Sequence, residues 1–245
     1  MKKVMVVTGG SRGIGASIAK LAGRAGYKVA VNYVKNAQAA DEVVKEIRAA
    51  GGEAIAVRAD VGDENQVRAM FAEVDAKLGK VDVLVNNAGV LASRRVEDMD
   101  VATVTDIFRA NVFSMFYCSR EAVRRMSPKH GGNGGAIVNM SSVASRLGGL
   151  SGGSAYAATK GAIDSFSLAL AKEVGQEKIR VNTVRPGLIE TEIHEVHGGM
   201  NQALAKSVPL GRAGDPGEVA RAVLWLASDD ASYVHGAVID VAGGR

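Results

Sequence analysis

The chain has 245 residues, 47% of them hydrophobic, 23% charged, with a formal net charge of +4; that is apolar enough for one sizeable core and too mildly charged for a disordered tail or polyanion binder. Lys and Arg are scattered among carboxylates with no basic block or aromatic platform, which argues against nucleic acid as a partner, and the lone Cys118 supports no disulfide framework, so a reducing, cytoplasmic setting is expected. No run approaches the roughly 20 apolar residues of a membrane span, and the apolar stretch after Met1-Lys2-Lys3 is too short for a signal peptide before Gly9-Gly10 breaks it.

The first segment, Val4 to Val7, is short, apolar and β-branched, as suits a parallel strand buried on both faces. It runs into Thr8-Gly9-Gly10-Ser11-Arg12-Gly13-Ile14-Gly15, then a helix with Ile14, Ile18, Leu21 and Ala22 at helical spacing. Glycines there allow a tight turn and let backbone N–H groups approach a pyrophosphate at the helix N-terminus. The spacing is T-G-x-x-x-G-x-G rather than G-x-G-x-x-G, whose third glycine would fall at Ile18.

Strand and helix then alternate. Strands are expected at Lys28 to Tyr33, Ala54 to Arg58 and Val81 to Val85, with helices at Asp41 to Ala50 and Glu64 to Leu78. The third strand closes on Asp60-Val61 and the fourth on Asn86-Asn87-Ala88-Gly89, small and amide residues suited to contact with a flat ring and ribose, or to a plain turn. A long helix from Val101 to Met126 is expected to turn Val104, Phe108, Met115, Ala122 and Met126 inward, with Asn111 on the same stripe. A buried amide there needs hydrogen-bond partners, as a core residue or as part of a site. Arg124, Arg125 and Lys129 form a small basic cluster before a glycine-rich loop.

The fifth strand, Ala136 to Met140, ends in Ser141-Ser142, and Tyr156 and Lys160 follow in a segment of strong helix formers. Four residues apart, they share one face of a helix. A phenol with its ordinary pKa of roughly 10 is a poor acid–base group near neutrality. An ammonium about 5 Å away, at an effective dielectric of about 20, would favour the phenolate by about 3 kcal/mol, or roughly two pKa units. Ser142 falls at a strand's C-terminal end, where α/β sheets hold their ligands. Ile179 to Val184 and Ala237 to Val241 are the last strands, and Asp215 caps a helix opened by Pro216. Roughly 30 residues per unit predicts a single doubly wound, parallel α/β sheet of Rossmann type with about seven strands. His194 and His197 lack an assembled ligand set, so no metal is expected.

These motifs, Thr8-Gly9-x-x-x-Gly13-x-Gly15, Asp60-Val61, Asn86-Asn87-Ala88-Gly89, Asn111, Ser142, Tyr156-x-x-x-Lys160 and Pro186-Gly187, resemble the short-chain dehydrogenase/reductase family in order and spacing over nearly the whole chain. Within it the chain is most similar to β-ketoacyl-(acyl carrier protein) reductases and to sugar and polyol dehydrogenases. The resemblance implies Tyr156 as general acid or base, Ser142 as hydrogen-bond partner of the substrate oxygen, Lys160 on the nicotinamide ribose and Asn111 holding a water. It implies cofactor contacts at Gly9, Ser11, Arg12, Gly13, Ile14, Gly15, Asn32, Tyr33, Lys35, Asp60, Val61, Asn87, Ala88 and Gly89. Pro186, Gly187, Ile189 and Thr191 would hold the carboxamide, and 188–210 would cover the substrate. The implied activity interconverts a carbonyl and a secondary alcohol on a small molecule. A dinucleotide-binding regulatory or scaffold protein is the alternative, and an acyl-carrier-protein substrate stays open.

The resemblance also bears on cofactor choice and assembly. An acidic residue ending the second strand would hold the adenosine ribose and repel a 2′-phosphate, and in family register that position is Tyr33. No carboxylate lies between Lys28 and Ala40, while Arg12 and Lys35 are available to a phosphate, so NADP(H) is expected over NAD(H). Apolar residues off the inward stripes, Val112, Phe116, Phe166 and Leu168, predict a homotetramer of the kind the family forms through these helices.

Overall fold

Alternate residues of the first strand belong to opposite cores, and the architecture follows from that. In the computed structural model, which describes residues 2–191 and 202–245, Met5 and Val7 pack on one side of the sheet and Val4 and Val6 on the other. Such a strand is covered on both faces, as parallel strands with helical crossovers are.

The elements are β1 (Val4–Val7), α1 (Gly13–Arg24), β2 (Lys28–Tyr33), α2 (Ala37–Ala49), β3 (Glu53–Arg58), α3 (Glu64–Lys77), β4 (Val83–Asn86), α4 (Val101–Phe108), α5 (Ser114–Met126), β5 (Gly135–Met140), α6 (Ala144–Leu147), α7 (Ser154–Val174), β6 (Ile179–Pro186), α8 (Gln202–Lys206), α9 (Pro216–Ala227) and β7 (Val238–Val241). The strands form one parallel sheet in the order β3-β2-β1-β4-β5-β6-β7. Helices α1, α2 and α9 bury Ile18, Ile47, Val223 and Leu226 on one face. Phe71 and Val74 of α3, Met126 of α5 and Leu170 of α7 fill the other. The chain reverses its direction of strand addition between β1 and β4. This leaves a crevice at their C-terminal ends, the usual ligand position in such sheets.

Two expectations about the segment from Val101 to Met126 are corrected. The helix is interrupted by a wide, π-helical turn at Arg109–Phe113 that separates α4 from α5 and contains Asn111. The extra residue rotates the inward stripe, which runs through Ile107, Asn111, Met115, Cys118, Ala122 and Met126, while Val104 is exposed and Phe108 only half-buried. For the same reason Val112 is buried rather than outward. Phe116 remains 50% exposed and Leu168 48%, with Phe116 stacked at a tilt on Phe166, ring centroids 4.3 Å apart.

Helix α2 contains the expected segment from Asp41 and begins at Ala37, where the Asn36 side chain accepts from the Ala39 N–H and caps it. The expected cap of α9 is present: Asp215 accepts from Gly217 N–H while the Glu218 carboxylate accepts from Asp215 N–H. Among the described residues no helix is long and apolar enough to cross a membrane. His194, His197 and the rest of 192–201, part of the expected substrate cover, lie outside the described residues.

Candidate active site

The glycine loop is held over the sheet by two amides, one from each neighbouring strand. Asn32 is buried in β2; its Oδ1 accepts from Gly9 N–H at 3.1 Å and its Nδ2 donates to Ala59 O at 2.9 Å. Asn87, just past β4, donates from Nδ2 to Thr8 O at 2.9 Å and Gly9 O at 3.1 Å. The Thr8 hydroxyl in turn accepts from the N–H groups of Asn87 and Ala88. Both side chains are occupied in fixing the loop. Val61 is likewise a core side chain with only its backbone left to offer.

The loop leaves room for a ligand and none for side chains. Gly9 and Gly13 have φ of +60° and +53°, and a Cβ on Gly15 would stand 2.2 Å from Gly9 O and 2.5 Å from Asn87 Nδ2. Helix α1 starts at Gly13 with no side chain capping its first N–H groups, and Ser11 and Ile14 are partly exposed beside it. Uncapped donors in a glycine cradle fit a dinucleotide pyrophosphate. Arg12 and Lys35 are exposed and Tyr33 is half-buried at the end of β2. Asp60 accepts from Gly62 N–H at 2.9 Å and pairs with Arg109 at 2.8 Å.

Across the crevice, the wide turn presents Asn111, 2% exposed, to the segment after β4. Its Oδ1 accepts from Val90 N–H at 2.7 Å, and its Nδ2 donates to Val90 O at 3.0 Å and Thr159 Oγ at 3.1 Å. Lys160 is buried on α7, donating from Nζ to Met140 O at 2.9 Å. Gly89 lies against both: a Cβ there would be 3.1 Å from Asn111 Oδ1 and 3.8 Å from Lys160 Nζ. Tyr156 lies one turn before Lys160, its ring centroid 5.5 Å from Nζ. Of the two serines, Ser141 is buried and donates to Lys160 O at 3.1 Å, whereas Ser142 is partly exposed, accepts from Ala144 N–H at 3.1 Å and faces the Tyr156 phenol.

The expected lowering of the Tyr156 pKa by its lysine is reversed. Burial pushes the phenol above its ordinary value, with the Ser142 hydroxyl pulling it down by less. Burial also pushes Lys160 down to about 8, opposed by the Asp164 carboxylate. Both groups leave water together, and the loss of hydration is the largest cause for each.

The segment after β6 faces the glycine loop. Pro186 O accepts from Val143 N–H at 3.1 Å, and Gly187 N–H donates to Val241 O at 3.0 Å. Ile189 forms a parallel bridge with Gly214 through Leu188 and Glu190, leaving its own amide on the opposite edge. A Cβ on Gly13 would stand 3.4 Å from Thr191 Cγ2, so Thr191 closes the crevice from that side.

Sequence reasoning missed a buried polar chain beneath the site. Asn86 donates to Asn139 Oδ1 at 2.8 Å and Ser119 Oγ at 3.1 Å, and Asn139 donates to Ser167 Oγ at 2.9 Å, tying β4, β5, α5 and α7 together. An Asn in the otherwise apolar run 136–140 was its one signal. Arg58 and Asp164 were also missed. The basic cluster is neutralised: Arg124 and Arg125 pair with Glu121, Arg125 also with Asp75, and Lys129 with Glu177. Among the described residues no three His, Cys, Asp or Glu side chains are grouped to hold a metal.

A doubly wound parallel sheet with a glycine cradle at its switch point defines a dinucleotide-binding α/β protein. A family profile described as enoyl-(acyl carrier protein) reductase matches residues 9–245. The chain is 49% identical to the uncharacterized oxidoreductase YgfF of Escherichia coli K12, over 99% of both chains. It is 38% identical to versicolorin reductase 1 of Aspergillus parasiticus, over 99% of this chain and 95% of that one. It is 37% identical to the 3-oxoacyl-[acyl-carrier-protein] reductase FabG of Staphylococcus aureus, over 100% of this chain and 98% of that one. A crystal structure of a dehydrogenase/reductase from Sinorhizobium meliloti 1021 superposes with a TM-score of 0.92 at 35% identity, covering 99% of this chain and 94% of that one. The chain belongs to the short-chain dehydrogenase/reductase family, oxidoreductases that use a nicotinamide dinucleotide.

Proposed function

We propose that this protein is an NADP(H)-dependent oxidoreductase that interconverts a carbonyl and a secondary alcohol on a small, freely diffusing molecule. The observation that carries the reading is the convergence of Ser142, Tyr156, Lys160 and Asn111 at the C-terminal ends of β4 and β5 beside Gly89. The nicotinamide, when bound, supplies or accepts the hydride. Ser142 Oγ donates a hydrogen bond to the substrate oxygen and stabilises charge developing there. Tyr156 gives its phenolic proton to that oxygen in reduction and takes it back in oxidation. Lys160 holds positive charge beside the phenol and binds the nicotinamide ribose hydroxyls. Asn111 fixes a water that relays protons from Lys160. Asp60 meets the adenine, and Ile189 and Thr191 the carboxamide. Residues 1–245 act as one domain with 188–210 as substrate cover, in the cytoplasm.

A free substrate is favoured over one carried on an acyl carrier protein because Arg124, Arg125 and Lys129 are each paired with carboxylates. An acidic carrier would meet little free positive charge on this patch. The test is a panel of diketones, ketoesters, sugars and one acyl thioester, followed by NADPH absorbance. Oxidation of NADPH with small ketones is expected; binding of NADPH without turnover of any carbonyl would leave a dinucleotide-binding scaffold.

The preference for NADP(H) is supported by Arg12 and Lys35 standing exposed around a strand end with no carboxylate. A lost charge-assisted contact is worth about 1.5–3 kcal/mol, so Arg12→Ala should weaken NADPH by roughly tenfold to a hundredfold and leave NADH nearly unchanged. Tyr33→Asp should move preference toward NADH. Titration of both cofactors checks this; equal weakening of both by Arg12→Ala would refute it.

Assembly as a homotetramer is proposed from the exposed Phe113, Phe116 and Leu168 on α5, its preceding turn and α7, since an apolar surface of this kind is normally covered by a symmetric copy. Light scattering at micromolar concentration should give four chain masses, and a monomer mass would contradict it.

A further inference from the structure

Three segments end together at one rim of the crevice. The loop after β1 reaches it through Gly10 N–H, which donates to Asn32 O at 2.8 Å, two residues before Arg12. The loop after β2 carries Lys35. The end of β3 is locked alongside, with Arg58 in register with Tyr33 and Ala59 N–H donating to Tyr33 O at 2.9 Å. Arg58 is exposed, and its Nε donates across the strand end to Val34 O at 3.3 Å. That bond fixes the guanidinium over the end of β2 and leaves its two Nη groups for another acceptor. Among the described residues no carboxylate pairs with Arg12, Lys35 or Arg58.

We propose that Arg58, with Arg12 and Lys35, forms a three-cation site for a phosphate monoester, the adenosine 2′-phosphate of NADP(H); this rests on the NADP(H) reading above. A phosphate monoester carries close to two negative charges at neutral pH and several acceptor oxygens. Two adjacent Nη groups of a guanidinium match such oxygens as a fork. The neighbouring carboxylate, Asp60, is already paired with Arg109 and accepts from Gly62 N–H. Tyr33, between the cations, has no charge with which to oppose the phosphate.

The competing account makes Arg58 only a tie between the edge strand β3 and β2. Calorimetric titration of the full chain with 2′,5′-ADP and 5′-ADP separates the two, since these probes differ only in the 2′-phosphate. Wild type is expected to bind 2′,5′-ADP at least about tenfold tighter. In Arg58→Ala the 2′,5′-ADP affinity should fall about five- to twentyfold, with 5′-ADP affinity and melting temperature unchanged and a weaker salt dependence for 2′,5′-ADP. If wild type does not discriminate between the probes, the NADP(H) reading itself fails. If wild type discriminates and Arg58→Ala discriminates equally well, the role of Arg58 is refuted and that reading stands. If Arg58→Ala weakens both probes alike and lowers the melting temperature, Arg58 is a strand tie only.

Discussion

Tyr156→Phe should lower turnover by at least about three orders of magnitude while leaving NADPH affinity within twofold of wild type, the upper part of the usual range for a lost proton donor. The substitution removes one oxygen and keeps the ring, so packing around α7 is preserved. Burial holds the phenol above its ordinary pKa, so it remains protonated throughout the neutral range, which is the state a carbonyl reduction needs from its acid. Ser142 faces the phenol and is partly exposed; without Tyr156 it would still polarise the substrate oxygen but have no proton to deliver without forming an alkoxide. Stopped-flow and steady-state assays with NADPH and an accepted ketone measure both quantities. Near-normal turnover in the variant would remove Tyr156 from the chemistry.

The strands were legible in the sequence because burial on both faces leaves short, nearly continuous apolar runs separated by about one helix. What the sequence hid was the break between α4 and α5. Its stripe was traced with an unbroken helical period, yet the extra residue at Arg109–Phe113 rotates α4 relative to α5, so Met115, Ala122 and Met126 lie inward as traced while Val104 and Phe108 before it do not. The insertion is local backbone geometry, and nothing in the composition of Arg109-Ala110-Asn111-Val112-Phe113 distinguishes it from ordinary helix. Its effect is to carry Asn111 to the backbone of Val90, directly after the Asn87-Ala88-Gly89 turn.

For the site, residue identity told more than register. Ser142, Tyr156, Lys160 and Gly89 meet as their order and spacing suggested. Asn32 and Asn87, both expected at the cofactor, hold Gly9 from both sides through their side chains. A sequence gives the donors and acceptors but not their partners, and a buried amide takes the nearest unsatisfied backbone group. The same limit explains the Tyr156–Lys160 error. A fixed separation and a moderate dielectric described their attraction but left out the water that both lose on α7. The Arg124–Lys129 cluster looked cationic although Glu121 stands one turn before Arg124 and Arg125 on α5, and Asp75 and Glu177 come near it only through tertiary packing.

Lys160→Met should separate activity from stability more sharply than any other change at the site. Wild-type Lys160 is pushed from 10.5 down to about 8 by burial. Its folded pKa lies below its unfolded one, so at pH below about 8 both states hold the proton and the folded chain bears the full cost of burying it, roughly 3 kcal/mol. Between about 8 and 10.5 the unfolded chain binds the extra proton, and stability rises with pH across that window. Met fills similar space without the charge. The unmade bond to Met140 O opposes this gain by about 1–3 kcal/mol, so at pH 7 the variant should melt no lower than wild type. Its stability should also lack the rise between pH 8 and 10.5. Turnover should fall by at least about a hundredfold, within the usual range for losing a member of an acid–base pair. Wild-type reduction should decline as pH passes about 8, where Lys160 loses its charge, and the residual rate of the variant should lack that decline. Thermal melts at pH 7 and pH 9.5 with a pH–rate profile of both proteins test the argument; a melting temperature several degrees below wild type at pH 7, or an unchanged alkaline decline in the variant, would overturn it.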